Sequence, residues 1–292
     1  PWMEQIREEA ARFDIVHNSR MGREPFSFAS YAAARSVGMP FLLTPNHHFR
    51  WRGFWYRHYQ ELYRLADGII ALTQAEKRSL EQMGVDGRRI TVTGIGPILA
   101  ERAEPDAFRR EAGIGERFVL FVGQKFRYKN LRSLLDAARL VWSRYPNVRF
   151  VFLGPRTEYS QRLFRAVKDA RILEKDTVSL QVKANAMAAC EVLCLPSLQE
   201  SFGGVFVEAW MMGKPVVGCD IPAVREVITS GVDGIVAKPT ADSLAEAIVH
   251  LLDHPDQARE MGERGREKAL RRFTWEALAR KTEEAYGRAL HR

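Results

Sequence analysis

Cysteine, long apolar runs and nucleotide-loop signatures are what this 292-residue chain has least of. Its three cysteines, Cys190, Cys194 and Cys219, cannot all pair with one another, and nothing resembles a secretory signal. That points to a reducing, cytoplasmic setting rather than an exported disulfide framework. Cys190 and Cys194 lie four apart without a second pair or a histidine set, so zinc is not expected. No apolar stretch approaches the roughly 20 residues needed to cross a bilayer; runs such as Phe-Val-Leu-Phe-Val at 118–122 are strand-length. A G-x-x-x-x-G-K-[ST] phosphate loop is absent, and Gly94-Ile95-Gly96-Pro97-Ile98-Leu99 lacks the third glycine of a dinucleotide fingerprint. A G-x-S-x-G hydrolase elbow is missing as well.

What is present is an ordinary globular composition, 46% hydrophobic and 27% charged, which excludes disorder. Lys and Arg number 44 against 36 Asp and Glu, giving +8. Such a balance favours an anionic partner and leaves nucleotide, phospholipid head group and nucleic acid all open. At about 100–200 residues per domain, the length predicts two domains.

Short β-branched runs alternate with amphipathic stretches, the pattern of βαβ units. Strands are expected at 14–17, 40–44, 68–72 and 90–93, with helices at 26–37, 54–66 and 75–83. Turn residues at 94–116 read as a connection. A second series follows, with strands at 118–122, 149–153, 178–182, 192–195, 215–217 and 234–237. Its helices are expected at 130–144, 158–170, 203–212, 222–229 and 241–253, with terminal helices over 255–290. The fold class is therefore α/β, two doubly wound Rossmann-like domains facing a cleft. The divisions are 1–98, a connector at 99–116, 117–273, and a C-terminal helix at 274–292 that crosses back to the first domain.

The segment richest in chemistry is Pro196-Ser197-Leu198-Gln199-Glu200-Ser201-Phe202-Gly203-Gly204-Val205-Phe206-Val207-Glu208-Ala209. It follows a buried-type strand and opens a helix, where bare backbone amides favour an anion. Were the whole stretch helical, Glu200 and Glu208 would stand about 12 Å apart, a span suited to a ligand with hydroxyls at both ends and phosphate between. On spacing alone, Glu200 reads equally as a helix cap and Glu208 as a surface residue.

Those glutamates, with Ser-Phe-Gly after the first, resemble the paired-glutamate motif of family-four retaining glycosyltransferases of the GT-B fold. Leu195-Pro196-Ser197, Gly213-Lys214-Pro215-Val216-Val217, Pro222-Ala223-Val224-Arg225-Glu226, Gly231-Val232-Asp233-Gly234 and Phe273-Thr274-Trp275 fit the same pattern in the same order. In the first part, Asp14-Ile15-Val16-His17 and Asp67 to Thr73 with Lys77 serve as fold markers.

The resemblance implies that Glu200 holds hydroxyls of a donor sugar and Glu208 the nucleotide ribose. Ser201 and the amides of Phe202, Gly203 and Gly204 would face the diphosphate. In Gly123-Gln124-Lys125-Phe126-Arg127-Tyr128-Lys129-Asn130, Lys129 matches the family's lysine, while Gln124 stands where the family places arginine. Lys125 or Arg127 would supply the missing charge beside Gly123; otherwise the three cations form a solvated basic turn. Near Thr44-Pro45-Asn46-His47-His48 the family has a histidine that contacts the sugar. His47 is the choice, with His48 its neighbour in register, and a histidine satisfied within its own loop is the plainer reading. Base selection is placed near Val182, between Gln181 and Lys183. The expected catalytic set is His47, Glu200 and Lys129, with no metal: no Asp-x-Asp occurs. The donor would be a UDP-, GDP- or ADP-linked sugar, and no other cofactor or nucleic-acid partner is expected.

Residues 49–59 interleave cations with aromatics and would suit an anionic membrane face, or one buried helix face. Nothing in residues 1–13 matches the strand and glycine-rich loop with which the family's first domain begins, so that domain reads as incomplete. This keeps a second reading alive, a non-catalytic nucleotide-sugar-binding fragment or partner subunit.

Overall fold

The computed structural model describes residues 2–10, 12–19, 25–47 and 56–291. Two compact units result, one from Pro1–Ile95 with Trp275–Arg292 and one from Gly96–Thr274. Residues 48–55, which include His48 and most of the cation–aromatic stretch, lie outside the described residues.

The first unit holds β1 (Val16–Ser19), β2 (Phe41–Thr44), β3 (Gly68–Ala71) and β4 (Ile90–Val92) in sequential order, all parallel. Helices α1 (Trp2–Ala10), α2 (Phe26–Ser36), α3 (Arg57–Leu65) and α4 (Gln74–Gln82) precede or link them. Side chains alternate across a strand, and β2 is buried at every position because both faces are covered. Phe41 and Leu43 pack with Ala34, Leu62, Tyr63 and Leu80 on one face. Leu42 and Ile70 meet Ala285 and Ala289 on the other. Those alanines belong to the C-terminal helix Trp275–Leu290, which returns to this unit. Asp67, the residue before β3, accepts from the Phe41 amide and from Arg35, which fits the expected fold marker rather than a catalyst.

The second unit carries six parallel strands in the order β10-β9-β8-β5-β6-β7. They are β5 (Phe118–Val122), β6 (Arg149–Leu153), β7 (Ile172–Lys175), β8 (Val192–Leu195), β9 (Val216–Cys219) and β10 (Ile235–Ala237). The helices are α5 (Pro105–Ala112), α6 (Leu131–Arg144), α7 (Glu158–Arg165), α8 (Leu180–Ala189), α9 (Gly204–Met211), α10 (Pro222–Val227), α11 (Ala241–Asp253) and α12 (Pro255–Arg272); Trp275–Leu290 is α13. The chain runs outward from β5 through β6 to β7, then returns to β5's other side with β8. The order therefore reverses between β5 and β8, where ligands bind in open α/β sheets.

Two expectations need correction. The strand expected at 178–182 is the start of α8: Ser179 accepts from the Val182 amide and caps the helix, overriding the alternating pattern. The edge strand is instead β7, half-buried and carrying Glu174 and Lys175. The stretch 99–116, read as a connector, contains α5. Phe108 anchors that helix, its ring 5.6 Å from Phe118, and Gly113 ends it at φ +61. All three cysteines are free and buried, and burial pushes the Cys190 and Cys219 thiols up to about 12. Among the described residues no helix is long and apolar enough to cross a membrane.

Candidate active site

The loops leaving β5 and β8 meet at the switch point of the second unit. After β5 the chain makes a short turn, Arg127–Lys129, and enters α6 through Asn130. After β8 it crosses 196–203 before α9. The two loops are joined where Leu198 N donates to Tyr128 O at 2.8 Å. Beside that bond, the Lys129 ammonium donates to Oε1 of Glu200; both side chains are about nine-tenths covered, at 12% and 10% exposure. An ion pair so covered but still reachable can serve an anionic ligand. The ammonium offers two further donors and the carboxylate a second oxygen.

Glycine is required at position 203. Its φ is +88, and a Cβ there would lie 2.6 Å from Cε2 of Phe206. This left-handed residue turns the chain into α9, whose first amides, those of Gly204 and Val205, have no acceptor inside the helix. Phe202 and Ser201 are buried at this turn, the Phe202 ring packing edge-on at 5.2 Å against Phe273. Because α9 begins at Gly204, Glu200 precedes the helix. The 12 Å helical separation from Glu208 does not apply, and Glu200 does not cap α9.

Glu208 is buried in the second turn of α9, not on a surface. Burial raises its carboxyl above the ordinary range, and Lys183 opposes this. Lys183 Nζ lies 2.9 Å from Oε1, and Ile98 N donates to the same oxygen at 3.2 Å. Val182, expected beside the base, sits in the first turn of α8, half-buried.

Of the three cations after Gly123, Lys125 is not available to a phosphate. Its side chain is fully covered, and its ammonium donates to Glu174 and to Gly154 O at 2.7 Å. Burial depresses its pKa against the pull of Glu174. Burial pushes Glu174 up in turn, but bonds from Arg156 and Lys125 outweigh this and hold it below the ordinary value. An ammonium cannot be desolvated alone, so this one is spent on joining the ends of β5, β6 and β7. Arg127 is exposed, and Gly123 follows β5 directly.

In the first unit His47 is fully buried. Its ring meets Tyr63 edge-on at 5.7 Å, and Nδ1 lies 3.3 Å from the tyrosine hydroxyl. Its amide donates to Oε1 of Glu76 at 2.6 Å, and Leu72 N donates to Oε2 at 2.7 Å. Asn46 just before it adopts φ +49. The histidine is thus engaged by Tyr63 of α3 through its ring and by Glu76 of α4 through its amide. Glu76 went unread in the sequence, although Thr73-Gln74-Ala75-Glu76 has the spacing of a capping box. Thr73 does cap Glu76 N, at 3.1 Å, while the glutamate reaches two other amides. The sequence places Lys183 beside the expected base site at Val182 but carries no signal of its pairing with Glu208. Among the described residues no three His, Cys, Asp or Glu side chains group closely enough to hold a metal ion.

Comparison with known proteins identifies the family and the fold. Residues 104–268 match the model of glycosyl transferases group 1, and residues 1–96 match that of glycosyltransferase family 4. The MMP alpha-(1->4)-mannosyltransferase of Mycolicibacterium hassiacum is 26% identical over 96% of this chain and 72% of its own length. The D-inositol 3-phosphate glycosyltransferase of Kribbella flavida is 30% identical over 78% of this chain, which covers 58% of that protein. The phosphatidyl-myo-inositol mannosyltransferase of Mycolicibacterium smegmatis is 30% identical over 75% of this chain and 56% of its own length. The chain thus spans little more than half of the latter two. In fold, it resembles Anabaena HepE, solved with UDP and glucose, at a TM-score of 0.86 and 19% identity, over 98% of this chain and 81% of that one. Sucrose-phosphate synthase from Thermosynechococcus elongatus gives 0.82 and 20%, over 98% and 76%. This chain, with one model covering more than half of it and the other most of the remainder, belongs to the glycosyl transferases group 1 family, on the two Rossmann-like domains of the GT-B fold.

Proposed function

We propose that the chain moves a sugar from a nucleotide-diphosphate donor to an acceptor hydroxyl, with retention of configuration and without a metal. The observation that carries this reading is the Lys129–Glu200 pair at the switch point, beside the glycine-led start of α9. As the bond from the sugar's anomeric carbon to the diphosphate breaks, negative charge grows on the leaving oxygens. Lys129 and the amides of Gly204 and Val205 are preorganised to stabilise that charge. Glu200 accepts from sugar hydroxyls, and Glu208 from the ribose. The acceptor oxygen bonds to the anomeric carbon on the same face, and its proton leaves with the diphosphate. His47 is left outside this scheme, its ring set against Tyr63 and its amide bonded to Glu76. Because Lys125 is committed to Glu174, Arg127 is the remaining second cation of the β5 loop.

Support for sugar transfer comes also from the three relatives named as glycosyl or mannosyl transferases, and support for a nucleotide sugar from HepE, solved with UDP-glucose. The acceptor would be a lipid-linked sugar, a polysaccharide or a small molecule. Residues 49–59 would place the protein at an anionic membrane face, and indifference to anionic lipid in vesicle co-sedimentation would remove that role.

The test is a thermal-shift panel of UDP-, GDP- and ADP-sugars followed by a transfer assay with the stabilising donor. Binding with turnover supports the reading, whereas no stabilisation by any of the three classes sinks it. Binding without turnover favours the second reading, a nucleotide-sugar-binding subunit, which Gln124 and the engaged Lys125 also suit.

A further inference from the structure

Glu208 is anchored more firmly than a ribose acceptor needs for its own folding. Two donors fall on its Oε1, Lys183 Nζ at 2.9 Å and Ile98 N at 3.2 Å, and no hydrogen bond falls on Oε2 among the described residues. The two charged side chains are 15% and 10% exposed. A covered ion pair is weak ground for stability, because an apolar pair of similar size packs as well without the desolvation cost. Retaining two charges at this depth, with one carboxylate oxygen left open, fits a ligand contact better than a structural one.

The helix carrying Lys183 is itself fixed. Two residues on either side of it, α8 grips the incoming chain: Gln181 Nε2 donates to Arg102 O at 2.8 Å, and Asn185 Oδ1 accepts from Glu104 N at 2.7 Å. Gln181 also bonds Asn185 at 2.9 Å. Lys183 therefore approaches Glu208 from a braced helix, and among the described residues its ammonium bonds nothing else.

We propose that Lys183 is a positioning residue for the nucleotide: with the Ile98 amide it holds Oε1 of Glu208 and leaves Oε2 to accept a ribose hydroxyl. The inference rests on the reading of Glu208 as the ribose acceptor. It adds a consequence for pH. Burial favours the neutral acid, a poorer acceptor, and Lys183 works against burial. Lys183 is the charged side chain that acts on Glu208 among the described residues, the other close group being the uncharged Ile98 amide.

Calorimetry with UDP, GDP and ADP between pH 5.5 and 8.5 tests this on the wild type, Lys183→Met, Lys183→Arg, Glu208→Gln and the Met–Gln double variant. For the diphosphate that the wild type binds, Lys183→Met should weaken affinity about ten-fold, the worth of roughly one charge-assisted hydrogen bond. The loss should reach to higher pH than in the wild type, Lys183→Arg should restore most of it, and adding the change to Glu208→Gln should cost nothing more. If Lys183→Met weakens binding equally in the Glu208→Gln background, the proposal is overturned and the ribose reading stands. If Glu208→Gln binds as well as the wild type, or the wild type binds none of the three, the ribose reading fails and the proposal falls with it. Should Lys183→Met not fold, the wild type still decides by NMR. Lys183 Nζ and Glu208 carboxyl signals that both move on adding nucleotide support the pairing; a Lys183 signal that stays put while that of Glu208 moves overturns it.

Discussion

Lys129 and Glu200 stand 71 residues apart in sequence and share an ion pair between the loops that leave β5 and β8. The sheet order brings them together: β5 and β8 are neighbours in the sheet but not in sequence, and the loops that leave them diverge at the switch point with polar groups on both sides.

In that arrangement each partner should matter more to transfer than to folding. Lys129→Ala and Glu200→Gln are each expected to lower the transfer rate by about 10²–10³, the scale of removing one preorganised charge stabiliser. The double variant should lose less than the product of the two, since the residues act as a unit. Steady-state rates with the donor found by thermal shift check this; unchanged rates in both single variants would disprove the assignment.

Lys125 is expected to behave in the opposite way. Lys125→Met leaves Glu174 with Arg156 as its partner but removes the cation that ties β5 to β6 and β7. The variant should lose about 3 kcal/mol of stability, the low end for breaking a buried pair by removing one member. Nucleotide affinity, measured below the lowered melting temperature, should change little. A large loss of affinity with unaltered stability would return Lys125 to the phosphate site.

How far the sequence reached follows from which signals are local. Buried strands such as Phe118–Val122 and Arg149–Leu153 were legible, because parallel strands covered on both faces read as continuous apolar runs. The paired glutamates and Lys129 were legible as a motif. The edge strand Ile172–Lys175 was not, since half-burial admits Glu174 and Lys175 and erases the run. Ser179 capping makes a helix start of a segment that alternates like a strand, which hides the pairing of Lys183 with Glu208. Lys125 looked like its neighbours in a basic turn, and only the fold shows that Glu174, 49 residues on, claims it. Side chains whose partners lie on distant elements cannot be told from solvated ones by composition.

Gly203 supplies a further test, of the helix start. With φ at +88 and Phe206 2.6 Å from where a Cβ would sit, Gly203→Ala should cost about 1–3 kcal/mol, the range for a strained left-handed residue. The same change should tilt the first amides of α9, so nucleotide affinity should fall along with the melting temperature. Gly231, also left-handed at φ +81 but with nothing near its Cβ position, is the control. Gly231→Ala should cost stability alone, and equal loss of affinity in both variants would mean that Gly203 has no special bearing on the site.

Glu76 predicts a pH dependence of stability. Burial raises its carboxyl from 4.5 to about 7, against the lowering effect of the Leu72 and His47 amides. A carboxyl that holds its proton more tightly when folded contributes stability that is complete below the unfolded value of 4.5. That stability is lost as pH rises through about 7. The loss between those limits is about 3 kcal/mol, at roughly 1.4 kcal/mol per pKa unit. Glutamine cannot ionise, so Glu76→Gln escapes this loss while giving up one acceptor for the amide of His47 or Leu72. The variant should therefore be less stable than the wild type at pH 5, with the gap narrowing steadily toward pH 8. Denaturant unfolding at pH 5, 6, 7 and 8 measures that gap, and a constant difference across the series would show that the Glu76 carboxyl does not titrate in this window.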